Sequence, residues 1–593
     1  LAGFYSEQHR GLLAPRSRRA ADALSVLWLG LFAKFRNPSA LYKSETLYSL
    51  FQRMLSRGDT SVQRQALDCV LAWREPDLVP YADNLRNLVD DKRFRDELKT
   101  FNLAVDGESI NAVHRDRLLP VAFRLLHGQV VARNGKASRK DGMKTRRMAI
   151  FNAMAGITPA ELRSFVFIGL DSFDQVIAAA TPRDRLSQAE PLSLSAGGMD
   201  VDSDDNDDDD SSSVGLLAQD GAVAAMGRVS PKVQLSYFHF FLDMTRQLGF
   251  KATPVFHETL VILVSAIGCA QREFDAANDD LREIASSRRA EDSMTIDEDA
   301  EEAEVEDAEE EEESGDEDNG RDVDGEDDED SGRLTFRSIK RRRDSARGVR
   351  QMAVKCLAKM FELQPPQFDF TPYVACIYEQ VVDPRIDSLT YENTQNSSAL
   401  LLLLRSWSLS PRYFPYLVDY NPLAFKMLLG ILAVPTAHSS VVSLVLDVLQ
   451  TLLDYSPAEA VEKHFLTEAE AADRSALVSR TIQGHVSQIL SHMRTCFTSD
   501  MLSLATTQPQ QGQAGKPSGA VTQAMRQIHI LSRVAEYATK QARDAKALLD
   551  ILLPILKRPN RTVPERTKND VLKVMLRFVP LVLNDQDGAL TAD

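Results

Sequence analysis

The chain has 593 residues, of which 44% are hydrophobic and 26% charged, and its formal net charge is −17. This length and composition are sufficient to bury large cores, which excludes a small peptide and a wholly disordered protein. No uninterrupted apolar run approaches the roughly 20 residues that span a bilayer, so we expect no membrane partner.

The cysteines indicate the redox compartment of the protein, and the first residue indicates whether the sequence is part of a longer chain. Five cysteines lie far apart in the sequence. This spacing is typical of reduced core thiols in a cytosolic or nuclear protein and excludes a disulfide framework. Because the sequence begins at Leu1 rather than methionine, we expect an interior segment of a longer protein.

The negative net charge conceals a basic body. Residues 200–210 contain eight Asp and no base, and residues 291–330 contain 25 acidic side chains against Arg321 alone. These two tracts contribute −8 and −24, so the remaining residues carry a net charge of +15. A basic body favours a polyanionic partner, whereas the acidic tracts repel one.

Helical periodicity dominates the chain and is interrupted by tracts rich in acidic, Ser, Gly or Gln residues. Short turns between amphipathic stretches predict antiparallel helical hairpins stacked side by side. The predicted organisation is helical repeats at 1–185, a disordered acidic and Ser/Gly linker at 186–230, a helical pair at 231–287, a disordered acidic insert at 288–332, helical repeats at 333–505, a Gln/Gly/Ser/Pro loop at 506–519 and helical repeats at 520–593.

Three predicted helices share an opening, at residues 62–66, 145–149 and 349–353. In each, we expect a β-branched residue and an Ala four positions later to share one face, where the small Ala permits close helix approach. Asp59 and Asp344 precede two of these openings, in predicted turns where an aspartate can accept hydrogen bonds from free N–H groups. The pattern resembles the HEAT-repeat signature, although unrelated amphipathic helices are the alternative because the spacing is irregular. The predicted fold is an all-α, HEAT-like α-solenoid of stacked helical hairpins with long disordered acidic insertions.

A basic loop between two helical patterns is the first candidate binding site. The loop at 133–147 contains Gly and no aromatic residue, and it precedes a capping box formed by Thr158 and Glu161. Its cations could lie along a phosphate backbone without reading sequence, whereas a merely solvated loop is the alternative. The candidate residues are Arg133, Lys136, Arg139, Lys140, Lys144, Arg146 and Arg147.

A second basic cluster follows the acidic insert directly. Its members are Arg333, Arg337, Lys340, Arg341, Arg342, Arg343, Arg347 and Arg350. Three interpretations stay open, namely a nuclear-import patch, a phosphate contact and an intramolecular partner of the acidic tract. We take Lys340, Arg341, Arg342 and Arg343 as its candidate RNA- or partner-binding residues.

Catalytic motifs are absent from the sequence. His257-Glu258 is followed by Val261 where a zinc protease needs its second His, and Gly515-Lys516 lacks the spacing of a phosphate-binding loop. We therefore predict no enzyme activity, no cofactor, no metal site and no small-molecule substrate.

Four segments together resemble the "down-regulated in metastasis" family. The most specific is HRDRLLPVAFRLLHGQV…RKDGMKTRRMAIFNAMAGITPAELRSFV, which starts at His114. The resemblance continues in GVRQMAVKCLAKMFE at 348–362, SSALLLLLRSWSL at 397–409 and ALLDILLPILKR at 547–558. That family is the very large HEAT-repeat component of the small-subunit processome, associated with the U3 small nucleolar RNA.

The resemblance implies a non-enzymatic nucleolar scaffold. Family members assemble on pre-ribosomal RNA with the U3 particle and other processome proteins, and they support processing of the small-subunit ribosomal RNA. A karyopherin-like transport receptor or another protein-interaction scaffold is the alternative. A receptor for basic cargo predicts an acidic inner surface, which the basic body disfavours. A regulatory scaffold of a giant lipid-kinase-like enzyme is a third class.

Overall fold

The computed structural model describes residues 15–131, 140–180, 220–292, 328–366, 368–464, 466–498, 519–538, 540–557 and 565–583. Within these ranges the regular secondary structure is helical and includes no β-strand, which confirms the all-α prediction. Most of the predicted acidic linker, acidic insert and Gln-rich loop lies outside the described residues.

The α-helices are numbered in chain order, with short 3₁₀ segments between several of them. They are α1 (Pro15–Phe32), α2 (Ser44–Leu55), α3 (Thr60–Leu71), α4 (Ala82–Asn87), α5 (Phe94–Thr100), α6 (Arg115–Val131), α7 (Lys140–Ala153), α8 (Pro159–Ile168), α9 (Asp174–Ala180), α10 (Asp220–Met226), α11 (Pro231–Leu248) and α12 (Phe256–Asp292). The series continues with α13 (Asp328–Glu362), α14 (Thr371–Ile377), α15 (Leu389–Glu392), α16 (Ala399–Ser408), α17 (Phe414–Val418), α18 (Pro422–Gly430), α19 (Ser439–Leu453), α20 (Pro457–His464), α21 (Glu468–Thr498), α22 (Gly519–Ala538), α23 (Ala542–Lys557) and α24 (Glu565–Leu583).

Helices pack mainly on neighbours in the chain. Helix α2 packs on α3 and α6, α6 packs on α7 and α8, and α7 packs on α11. From there α11, α13, α16, α19, α22 and α24 each pack against the next helix in that series. Nearest-neighbour packing of this kind is the organisation of an α-solenoid. The HEAT-type geometry of the individual repeats stays a prediction.

Two helix starts form as the sequence indicates, and one does not. The Asp59 carboxylate accepts hydrogen bonds from the N–H groups of Ser61 and Val62, at 2.8 and 3.3 Å, and caps α3. Thr158 and Glu161 form the predicted capping box of α8. The prediction for Asp344 is wrong, because this residue lies inside the continuous helix α13. Its neighbours are residues that helices tolerate well, so no turn forms there.

The shared opening has the predicted burial in two of its three instances. Ala66 and Ala353 are both fully buried on the core face of their helices. In the third, Thr145 is exposed and Ala149 is only partly buried. The motif therefore marks a close helix contact in α3 and α13 but a looser one in α7.

Helices α11 and α12 include a long apolar window. The stretch Pro231–Ser286 contains an 18-residue window of mean hydropathy 1.5, long and apolar enough by composition to cross a membrane. In the structure 83% of this window is buried inside the protein, so packing in the core accounts for its hydropathy. Counting only uninterrupted apolar runs in the sequence misses this window.

Helices α12 and α13 form a long antiparallel pair whose connection holds the acidic residues 293–327. Arg342 contacts Asp280, and Arg350 contacts Gln271 further along the pair. Helix α12 ends at Asp292 and α13 begins at Asp328, so both extend into the range predicted as an acidic insert. Helix α10 likewise lies within the range predicted as a linker and packs on α9 and α12.

A glycine sets the distance between α6 and the turn after α2. A Cβ atom added at Gly128 would lie 2.1 Å from Gln63 Nε2, 2.6 Å from the Arg57 carbonyl oxygen and 2.8 Å from that of Leu55. We expect Gly128→Ala to lower the free energy of unfolding by about 1–3 kcal/mol, as overpacking does.

The matched control is Gly348→Ala in α13, where an added Cβ meets nothing within 4 Å. This substitution should instead stabilise the helix, by about 0.5–1 kcal/mol. Denaturant unfolding of both variants checks the pair, and equal effects would contradict the close contact at Gly128.

Candidate nucleic-acid interface

Arg146, near the end of the basic loop at 133–147, belongs to a polar network that joins four helices. Gln63 Nε2 donates to the carbonyl oxygens of Leu55 and Leu125, at 2.6 and 3.1 Å. Gln129 Nε2 donates to Gln63 Oε1 at 2.9 Å, and Arg146 donates to Gln129 Oε1 at 2.7 Å. Because Gln63 and Gln129 are almost fully buried, each bond satisfies a polar atom that water cannot reach.

Arg146 and Arg147 both form ion pairs within the protein. Arg146 pairs with Asp91 at 2.7 Å, and its guanidinium lies 5.3 Å from the Phe94 ring centroid. Arg147 pairs with Asp243 of α11 at 3.2 Å, and both side chains are 15% exposed. These two arginines therefore connect α7 to earlier and later helices.

The structure describes the remaining residues of this basic loop only in part. Arg133, Lys136 and Arg139 lie outside the described residues, and Lys140 and Lys144 lie on the first turns of α7, where only the backbone is described. Contact between this loop and RNA stays a prediction. The packing of Arg146 and Arg147 was not foreseen, because their partners are distant in sequence.

A second, partly buried junction joins the start of α6 to the start of α8. The Arg115 guanidinium donates to both carboxylate oxygens of Glu161, at 2.6 and 3.0 Å, and to the carbonyl oxygen of Leu103 at 2.8 Å. Burial raises the pKa of Glu161, but hydrogen bonds from Arg115 and Thr158 outweigh it and hold this pKa below its usual range. The carboxylate is therefore ionised at neutral pH and fixes the start of α8.

We expect an acid-dependent loss of stability at His127 in α6. Burial lowers the pKa of His127 to about 4, although a hydrogen bond with the Ser56 backbone opposes this shift. The unfolded chain binds a proton below about pH 6.5, whereas the folded chain does not until about pH 4. The stability that the neutral ring provides is therefore present above pH 6.5 and is lost as the pH falls towards 4.

Unfolding of a His127→Leu variant at several pH values measures this effect. The variant should show a smaller decrease in stability between pH 7 and pH 4.5 than the unmodified chain. His239→Leu is the matched control, because His239 is exposed on α11. Identical pH profiles for all three proteins would contradict the assignment.

The second basic cluster forms an exposed row of cations on α13. Arg337, Lys340, Arg341, Arg347 and Lys355 are exposed, and we call them the outer stripe. Their spacing places them on the face opposite the buried positions of the same helix. The stripe runs from Arg337 to Lys355, which are 18 positions apart, or about 27 Å at the rise of an α-helix.

Arg342, Arg343 and Arg350 face neighbouring side chains, and the side chain of Arg333 lies outside the part of the chain that is described. Arg342 pairs with Asp280 of α12 at 2.6 Å, and Arg343 lies 3.4 Å from Asp344. Arg350 is 4% exposed and lies over the Phe274 ring, with its guanidinium carbon 4.6 Å from the ring centroid. Burial lowers the pKa of Arg350 to about 10, and the charge of Arg385 adds to this shift.

The structure thus divides the candidates of the second cluster. Lys340 and Arg341 belong to the outer stripe, whereas Arg342 and Arg343 contact acidic residues on the protein. Lys355 was missed, although its helical register relative to Arg337 and Arg341 was available from the sequence. In the part of the chain that the structure describes, no group of three or more His, Cys, Asp or Glu side chains is arranged to hold a metal ion.

Serially packed helices of this kind place the chain in the class of α-solenoid proteins. The family model described as "U3 small nucleolar RNA-associated protein 20, N-terminal" matches residues 19–592. The chain belongs to this family, which confirms the family resemblance seen in the sequence.

Two relatives carry the name U3 small nucleolar RNA-associated protein 20. The protein from Schizosaccharomyces pombe is 24% identical over 556 residues, which cover 93% of this chain and 18% of the relative. The protein from Saccharomyces cerevisiae is 23% identical over 393 residues, which cover 66% of this chain and 12% of the relative. The chain therefore spans less than a fifth of the length of either relative.

Proposed function

We propose that this chain is part of a non-enzymatic scaffold of the small-subunit processome. In this role it binds pre-ribosomal RNA, the U3 particle and other assembly proteins in the nucleolus, and it supports processing of the small-subunit ribosomal RNA. The names of the two relatives support the association with U3 small nucleolar RNA.

The outer stripe is the observation that carries RNA binding. A row of exposed Lys and Arg on one helix face can replace counterions along a phosphate backbone without reading base sequence. A solenoid suits the scaffold role, because separate repeats can hold separate partners along one extended surface.

The karyopherin-like alternative requires the opposite charge on a cargo-binding surface. A receptor for basic cargo needs acidic side chains, whereas the outer stripe contains five cations with Asp344 among them. The exposed cations of the outer stripe therefore favour a polyanionic partner over a basic cargo.

Purification of the tagged full-length protein from cells tests the proposal. We expect U3 small nucleolar RNA and small-subunit precursor RNA to be enriched over a tagged control, and unprocessed precursors to accumulate when the protein is depleted. Absence of both RNAs from the purified protein, with normal precursor processing after depletion, would overturn the proposal.

A further inference from the structure

A glycine lies in the middle of the outer stripe, where the packing of the protein does not call for one. Gly348 is an interior residue of the continuous helix α13, and a Cβ atom added there would meet no described atom within 4 Å. Glycine inside a helix is destabilising relative to alanine. The space in front of Gly348 is therefore kept open at a cost in stability.

Other glycines inside helices differ from Gly348 because the protein itself fills the space beside them. A Cβ atom added at Gly128 would lie 2.1 Å from Gln63 Nε2, and one added at Gly268 in α12 would lie 2.5 Å from Gln380 Oε1. At Gly348 the open space faces outward instead, on the same face of α13 as the exposed cations. A bound partner can use this space, whereas the described neighbours of Gly348 do not.

Cations flank Gly348 on both sides along the helix. Arg341 precedes it by seven residues, and Lys355 follows it by seven. Seven residues are close to two helical turns, so the three positions share one face and are about 10 Å apart along the axis. Gly348 therefore forms a gap between two long basic side chains.

The charge of the outer stripe is available to a partner. No ion pair or side-chain hydrogen bond joins its five cations to another residue in the part of the chain that the structure describes. Asp344 is the acidic residue among them, and Arg343, which is not a member of the stripe, lies 3.4 Å from its carboxylate. The five cations thus exceed the nearby negative charge on this face, which favours an anionic partner.

A glycine at this position suits contact with a nucleic-acid backbone. The surfaces of an α-helix and of an RNA duplex are both convex, so two such rods that cross are closest at one point. A side chain at that point would hold the rods apart, whereas glycine permits close approach of the helix backbone to a ligand. Flexible Lys and Arg side chains on either side of the contact can then reach the flanking phosphates.

We infer that the sugar-phosphate backbone of an RNA duplex lies directly on α13 at Gly348, with Arg341 and Lys355 reaching phosphates on its two sides. This inference rests on the proposed RNA-binding function and assigns its point of closest contact. Because the contact involves the backbone of the RNA, it does not depend on base sequence.

Gly348→Leu tests the contact, because leucine is a strong helix former whose side chain would occupy the open space. The variant should be at least as stable as the unmodified chain, yet bind a labelled RNA duplex on the order of tenfold more weakly at physiological salt. The slope of log affinity against log salt concentration should become shallower by about 1, as expected for the loss of one phosphate contact. Fluorescence anisotropy titrations with the intact chain measure both quantities, and Gly348→Ala should give a smaller effect in the same direction.

Gly484→Leu in α21 is the matched control. Gly484 is also an interior helix residue, and a Cβ atom added there would meet no described atom within 4 Å. The nearest Lys or Arg on its helix is Arg480, which pairs with Asp419 at 3.0 Å. Gly484→Leu should therefore stabilise its helix in the same way and leave RNA binding unchanged.

The outcomes separate this contact from the proposed function. If Gly348→Leu folds normally and binds the duplex like the unmodified chain, the contact at Gly348 is refuted while RNA binding stands. Equal losses in Gly348→Leu and Gly484→Leu would also refute it. Unchanged RNA binding together with loss of a protein from the purified full-length complex would assign the space to a protein partner and overturn the inference. If the unmodified chain does not bind the duplex, the proposed RNA binding fails as well.

Discussion

Charge reversal in the outer stripe should lower the affinity of the chain for RNA on the order of 100-fold at physiological salt. The substitutions are Lys340→Glu, Arg341→Glu and Arg347→Glu in one variant. All three side chains are exposed on α13, so their reversal removes phosphate contacts without disturbing a buried partner. The slope of log affinity against log salt concentration for duplex RNA should also become shallower by about 3, because each phosphate contact contributes about 0.9 to it.

Titrations of a labelled RNA duplex at several salt concentrations measure both effects. The control is Arg282→Glu on α12, whose side chain is 81% exposed and lies outside the stripe. An unchanged salt dependence in the triple variant would show that the outer stripe does not meet phosphates. A loss of equal size in the control would indicate a nonspecific effect of net charge.

A buried carboxylate in α13 should give the largest loss of stability. Ala353 is fully buried at the face that packs on neighbouring helices. We expect Ala353→Glu to destabilise the repeats around α13 by about 4 kcal/mol, because the new charge has no partner and the close contact has no room for it. Hydrogen exchange resolved along α11, α13 and α16 is the appropriate measurement, since a solenoid need not unfold in a single step.

Two related variants test whether the loss of stability comes from burial of the new charge or from its position in the sequence motif. Ala149→Glu occupies the same motif position in α7, but Ala149 is only partly buried, so its effect should be smaller. Lys355→Glu lies two residues away on the exposed face of α13 and should change stability by less than about 0.5 kcal/mol. Equal exchange rates in the Ala353→Glu variant and the unmodified chain would show that this helix face is assigned incorrectly.

Local features of the fold could be predicted from the sequence because they depend on neighbouring residues. The cap at Asp59 and the capping box at Thr158 involve atoms within three residues of one another. The buried face of α13 follows from helical periodicity, which places Val349 and Ala353 together. The prediction of a turn at Asp344 was wrong for a related reason. An aspartate inside a strongly helical segment does not by itself end the helix.

The tertiary partners of the basic residues could not be predicted. Arg146 pairs with a residue 55 positions away, and Arg147 pairs with one 96 positions away. Periodicity identifies which face of a helix is buried, but it does not identify the helix that covers that face. The sequence therefore grouped Arg146 with solvent-exposed cations, whereas the structure connects it to the buried Gln129.

Ultraviolet crosslinking of the full-length protein in cells, followed by identification of the crosslinked RNA and peptides, tests the central claim most directly. The account predicts crosslinks from small-subunit precursor RNA to peptides of α13 between Arg337 and Lys355. Recovery of the protein with processome components but without RNA crosslinks in this helix would contradict direct RNA binding by the outer stripe. Crosslinking only to RNA unrelated to ribosome assembly would contradict the scaffold function.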